Sequence, residues 1–161
     1  MTAPKTLLEL AGADLNPPKL TEACLVLIDI QNEYFAGPLA LPDAQPASAA
    51  AARLLARARE SGAAIIHIAH KGRAGGLFDR EAARGAIVDR LTPQAGEPVI
   101  EKALPNAFAG TDLQARLAAA GCKNIVLAGF MTHMCISSTA RAALDLGLRT
   151  TIAADACATR D

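Results

Sequence analysis

Residues 24–30 read CLVLIDI, and this short run decides the fold. It is aliphatic and β-branched, with Asp29 almost at its end, which predicts a strand buried on both faces. Downstream, PASAAAARLLARARESG (46–62) has proline near its start, strong helix formers and a closing glycine, the start and stop signals of a helix. AAIIHIA (63–69) predicts a second strand and PVIEK (98–102) a short third one. TDLQARLAAAG (111–121) predicts a helix with Thr111 at its cap and Gly121 at its exit. NIVLAGF (124–130), THMCISSTARAALDLG (132–147) and LRTTIAA (148–154) then predict strand, helix and strand. Residues 71–97 read as loop with a short helix within DREAARGAIVDRL, and residues 1–22 as an N-terminal arm on a single domain, 23–161. Repeated strand–helix–strand order implies right-handed crossovers and a parallel sheet covered on both sides, an α/β three-layer doubly wound fold.

The bulk numbers narrow the function classes. The chain has 161 residues, 52% of them hydrophobic, with alanine supplying much of that share. A domain of this size buries roughly 70% of its unfolded surface, enough for a core without metal or disulfide staples. Sixteen basic residues balance sixteen acidic ones and aromatics are only 3%, so no basic stripe or stacking platform for nucleic acid exists. Near-zero net charge favours self-association. No apolar run approaches the roughly 18–20 residues of a membrane span, and the start, MTAPKTLLELAGADLNPPKL, lacks the apolar stretch of a signal peptide. The cysteines at 24, 122, 135 and 157 are widely spaced, without a CxxC pair, and are expected to be reduced in a cytoplasmic protein. No G-x-G-x-x-G follows the first strand and no Walker sequence is present, so no nucleotide cofactor is expected.

In open parallel sheets, sites form beyond the carboxyl ends of the strands, at a topological switch point. Three reactive side chains stand there. Asp29 is nearly the last residue of the first strand, Lys102 closes the third, and Cys135 follows the fourth at the start of a helix. Each has a plainer reading alone: a loop-capping aspartate, a solvated lysine, a small core thiol. Together they supply a nucleophile, a carboxylate to move its proton, and a cation to hold the charge. A lysine and a helix start beside Cys135 are both expected to favour its thiolate. The turn GFMTHMC can aim backbone N–H groups at a developing oxyanion. Cys24, Cys122 and Cys157 lack this placement and read as structural.

These residues carry a recognisable pattern. CLVLIDIQNEYF (24–35), EKALPNAFAGTDL (101–113), GFMTHMCISSTARAALDLG (129–147) and AADAC (153–157) resemble, in order, the motif segments of isochorismatase-like hydrolases. The resemblance implies Cys135 as nucleophile, Asp29 as general base and Lys102 as electrostatic partner. It implies a cis peptide between Phe130 and Met131, and an oxyanion hole from the N–H groups of Met131 and Cys135. It further implies cleavage of a small amide-type C–N bond through a thioester, without a cofactor, in a homodimer or larger homo-oligomer. By position in these motifs, Phe35, Phe108, Phe130 and His133 are expected to line the pocket, and Gln31, Asn106 and Thr132 to make polar contacts with substrate.

Two departures qualify the resemblance. Metal-dependent nicotinamidases of this superfamily carry Asp-x-His after the second strand, where this chain reads HIAHKGRAGG. His67 and His70, three apart on a strand, point to opposite faces, so no metal site is expected. The chain also ends at ACATRD where family members continue, so their last helix and strand are expected to be absent. Three rivals remain. A vinyl-ether hydrolase acting on isochorismate needs no thiol, a papain-like pair would require His133 to reach Cys135, and a non-catalytic member would only bind its ligand.

Overall fold

The computed structural model describes residues 3–160. Their strands are β1 (Ala23–Ile28), β2 (Ala64–His70), β3 (Val99–Lys102), β4 (Asn124–Phe130) and β5 (Arg149–Ala158). They form one five-stranded sheet, every pairing parallel, in the order β3-β2-β1-β4-β5. The chain runs outward from β1 through β2 to β3, then crosses back to β4. The switch point therefore lies between β1 and β4.

Burial on both faces explains the aliphatic strands. All of β1 is buried, and alternate residues feed two separate cores. Leu25 and Leu27 pack with Val126 and Ala128 under the helix Ala44–Glu60. This helix is lined by Ala47, Ala50, Ala51 and Ala58, so small side chains let it lie close to the sheet. Cys24, Val26 and Ile28 pack with Ile125 and Leu127 on the other face. That face is covered by the helices Leu113–Ala119 and Ser137–Asp145. No helix among the described residues is long and apolar enough to cross a membrane.

Several local readings change. Thr111 is not the cap of its helix. Asp112 holds that position without a side-chain capping bond, while the Thr111 hydroxyl accepts from the Leu113 amide at 3.3 Å and donates back to the Ala107 carbonyl at 2.5 Å. The connection 71–97 has two short 3-10 turns, Ala83–Gly85 and Asp89–Leu91. β5 runs on to Ala158, with a break in register where Leu127 pairs Ile152 but Gly129 pairs Cys157. The N-terminal arm contains an α-helical turn, Leu7–Leu10, closed by a reciprocal Thr6–Glu9 capping box, and a 3-10 turn, Leu20–Glu22. Arg149 ties the arm to β5 through Asp14, 3.1 Å from its carboxylate, and the Asn16 carbonyl.

Candidate active site

β1 stops because its next residue turns. Asp29 has φ +54°, and although aspartate tolerates this region better than most residues, it costs about 1 kcal/mol or more. Its amide still bonds the Ile68 carbonyl of β2 at 3.0 Å, so the turn begins on the sheet itself. The neighbouring strand comes very close here. Gly129 has φ +133°, and a Cβ on it would lie 1.9 Å from the Ile28 carbonyl oxygen, so only glycine fits. The following Phe130–Met131 peptide is cis. The chain then winds into a π-helical turn, Thr132–Ile136, before the regular helix begins at Ser137. Cys135 sits in that turn rather than in the α-helix expected to start at Thr132.

The three candidate side chains meet. Lys102 crosses beneath the end of β2 and places its Nζ 2.6 Å from Asp29 Oδ2, both side chains having no exposed surface. The same ammonium donates to Cys135 Sγ at 3.2 Å. It also lies 3.2 Å from His70 Nδ1. The Asp29–Lys102 contact is a fully buried ion pair at hydrogen-bond distance. The nearby His70 amide is directed at the Gln31 side-chain oxygen, at 2.8 Å.

Burial governs protonation here. It pushes the Asp29 carboxyl above its usual range, although Lys102 and the Cys135 thiol pull it partly back. Burial and the adjacent Asp29 charge push the Cys135 thiol up to about 12, despite the opposing Lys102. Desolvation therefore outweighs the pull of the lysine toward the thiolate. His70 is driven the other way, down to about 4, by burial and by the neighbouring ammonium, which leaves a neutral imidazole.

The remaining expected site residues divide. Gln31 is fully buried, and its amide donates to the His70 and Gly85 carbonyls at 2.9 and 2.8 Å. With its oxygen also taken, it braces the rim instead of contacting substrate. Phe130 is likewise corrected: it is fully buried, with Tyr34 edge-on at 5.6 Å, and belongs to the core beneath the site. Phe35 and Phe108 are half-buried and pack against opposite cores of the sheet. Asn106 accepts from the Phe108 amide at 3.0 Å, shaping the loop after Lys102. The same loop is fastened to the helix Ser137–Asp145 by the Ala107 amide, which donates to Thr139 Oγ1 at 3.0 Å. Thr132 is half-buried, next to His133, which is exposed and pairs with Thr159 at 2.5 Å rather than with Cys135. His67 and His70 do separate: His67 Nε2 meets Glu97 at 3.0 Å, His70 meets Lys102. The sequence reading weighs His70 only as a metal ligand, although it stands one residue past AAIIHIA, level with Lys102 across the ladder.

Comparison with known proteins places this geometry among relatives. Residues 23–161 match the isochorismatase domain family. A secreted isochorismatase effector of Verticillium dahliae is 39% identical over 141 residues, covering 87% of this chain and 74% of its own. The maleamate amidohydrolase of Pseudomonas putida is 33% identical over 145 residues, covering 80% of this chain and 68% of its own. The crystal structure of an isochorismatase from Pseudomonas putida KT2440 superposes with a TM-score of 0.94 and 46% identity, over 99% of this chain and 82% of that one.

Proposed function

The chain belongs to the isochorismatase domain family, and we propose that it is a cysteine hydrolase that cleaves the C–N bond of a small amide-type substrate. The observation that carries this reading is one buried ammonium, Lys102, in contact with both a carboxylate, Asp29, and a thiol, Cys135. Likeness to a maleamate amidohydrolase supports it.

Burial makes the Asp29 carboxylate a stronger base than an ordinary one. With substrate bound, Asp29 takes the Sγ proton as the sulfur attacks the carbonyl carbon. Lys102 steadies the charge that appears on sulfur. The carbonyl electrons move to oxygen, held by the N–H groups of Met131 and Cys135. Collapse of this intermediate breaks the C–N bond, and Asp29 returns its proton to the departing nitrogen. Water then attacks the thioester, giving its proton to Asp29. The C–S bond breaks, the acid leaves, and the sulfur recovers its proton from Asp29.

The test is ammonia or amine release from a panel of small amides, ureas and carbamoyl compounds, comparing wild type with Cys135→Ser. Release that vanishes in the variant supports the hydrolase. A second reading draws on the raised Asp29 carboxyl, which as a neutral acid could protonate a vinyl ether. Pyruvate release from isochorismate that persists in Cys135→Ser would select that reading instead.

A further inference from the structure

We propose that His70 is a positioning residue for this reaction, accepting an N–H of Lys102 at Nδ1 and so holding the ammonium against Asp29 and Cys135. The proposal rests on the amidohydrolase reading above. An ammonium has three N–H donors and no acceptor, and its side chain here has no exposed surface. A buried donor without a partner is costly, so each needs a neighbour. Three groups surround Nζ: Asp29 Oδ2 at 2.6 Å, Cys135 Sγ at 3.2 Å and His70 Nδ1 at 3.2 Å.

Two of those neighbours change during the cycle. Asp29 loses its charge each time it takes a proton, and Cys135 becomes a poor acceptor once its sulfur is acylated. His70 alone keeps the same lone pair throughout. It is the fixed point that stops the ammonium drifting between steps.

His70 is itself firmly held. Its backbone N–H and C=O are both bonded by the Gln31 amide, at 2.8 and 2.9 Å. Its ring lies against Phe78, centroids 5.0 Å apart. Phe78 is buried with φ +56°, and its amide donates to the buried carboxylate of Glu33 at 2.9 Å. The depressed basicity leaves one ring nitrogen without a proton at neutral pH, and the ammonium facing Nδ1 favours the tautomer with its hydrogen on Nε2. Gln31, Glu33 and Phe78 thus form a mount for one ring nitrogen.

The experiment pairs a spectrum with kinetics. The protein carries three histidines, so nitrogen-15 histidine labelling with single substitutions at His67 and His133 assigns the His70 ring. The expected spectrum shows Nε2–H with Nδ1 bare, and Lys102→Met releases it to a mixture of tautomers. In turnover, His70→Leu should lower kcat about ten- to a hundredfold with KM nearly unchanged. His70→Asn, whose Oδ1 stands near the position of Nδ1, should restore most of that loss, which simple repacking would not do. A proton on Nδ1, or equal kcat in the Leu and Asn variants, overturns the proposal. The spectrum needs no substrate, so a wild type silent on every amide would sink the hydrolase reading while the tautomer still decides the His70–Lys102 bond.

Discussion

Two carboxylates flank one sheet, one half-buried and one fully buried, and they are treated in opposite ways. Glu97, just before β3, receives a bidentate Arg59 guanidinium at 2.7 and 2.8 Å, the Gln94 amide at 2.9 Å and His67 Nε2 at 3.0 Å. Those donors, Arg59 foremost, hold it down at about 2. Asp29, beyond the carboxyl end of β1, has a single cation at 2.6 Å, and burial outweighs it so that its pKa is raised. A carboxylate held by a guanidinium and further donors favours its charged form and acts as a strut. One whose burial outweighs its ammonium partner accepts a proton more readily. The second arrangement is the one the proposed proton transfer at Asp29 needs.

The contrast breaks most plainly in activity. Cys135→Ala and Asp29→Asn should each lower turnover about ten-thousandfold or more. Glu97→Gln should leave turnover per folded molecule unaltered. Equal activity loss in both regions would erase the distinction. Stability runs the other way: by urea titration, Glu97→Gln should cost about 2–3 kcal/mol, and Cys135→Ala should cost little.

Two pH measurements sharpen the comparison. With its thiol pushed up to about 12, Cys135 should be alkylated by iodoacetamide at a rate rising about tenfold per pH unit through the alkaline range. A plateau already reached near pH 7 would mean a resting thiolate. The smallest effect concerns acid. A carboxyl lowered in the folded state stabilises it above the unfolded value and loses that contribution as pH falls through the folded one. Glu97 should therefore contribute to stability above pH 4.5 and lose that contribution towards about pH 2. Glu97→Gln should flatten this limb of the acid-unfolding curve, and an unchanged limb would place its origin elsewhere.

Much of this was legible in the residues. The β1 and β4 runs announce themselves because strands buried on both faces must be aliphatic throughout. Asp29, Lys102 and Cys135 stood out because reactive groups at strand ends have a geometric reason to meet. What stayed hidden depends on packing between distant segments. THMCI has nothing in its composition to distinguish a π-turn from an α-helix. The function of Gln31 depends on where the His70 and Gly85 backbones arrive, and neither is near it in sequence. His70 was weighed only as a metal ligand paired with His67, and its level relative to Lys102 emerges once β2 and β3 are in register. The lysine beside Cys135 is visible in a sequence, whereas the depth of burial that opposes it is not.

The pleat of β3 has an evolutionary consequence. Val99 and Glu101 face outward while Ile100 and Lys102 face inward, and Glu101 meets Lys71 and Arg80 on the outer side. Inserting or deleting a single codon within β3 would exchange these faces, setting an acid where the ammonium belongs, beside Asp29. The connection 71–97 is under no such parity rule, since ladder bonds from His67 to Pro98 and from Lys71 to Lys102 secure its ends. Its fixed points are Phe78 against His70 and Gly85 against Gln31, so lineages descended from this chain could change its length between those anchors while β3 stays locked to an alternating count of residues.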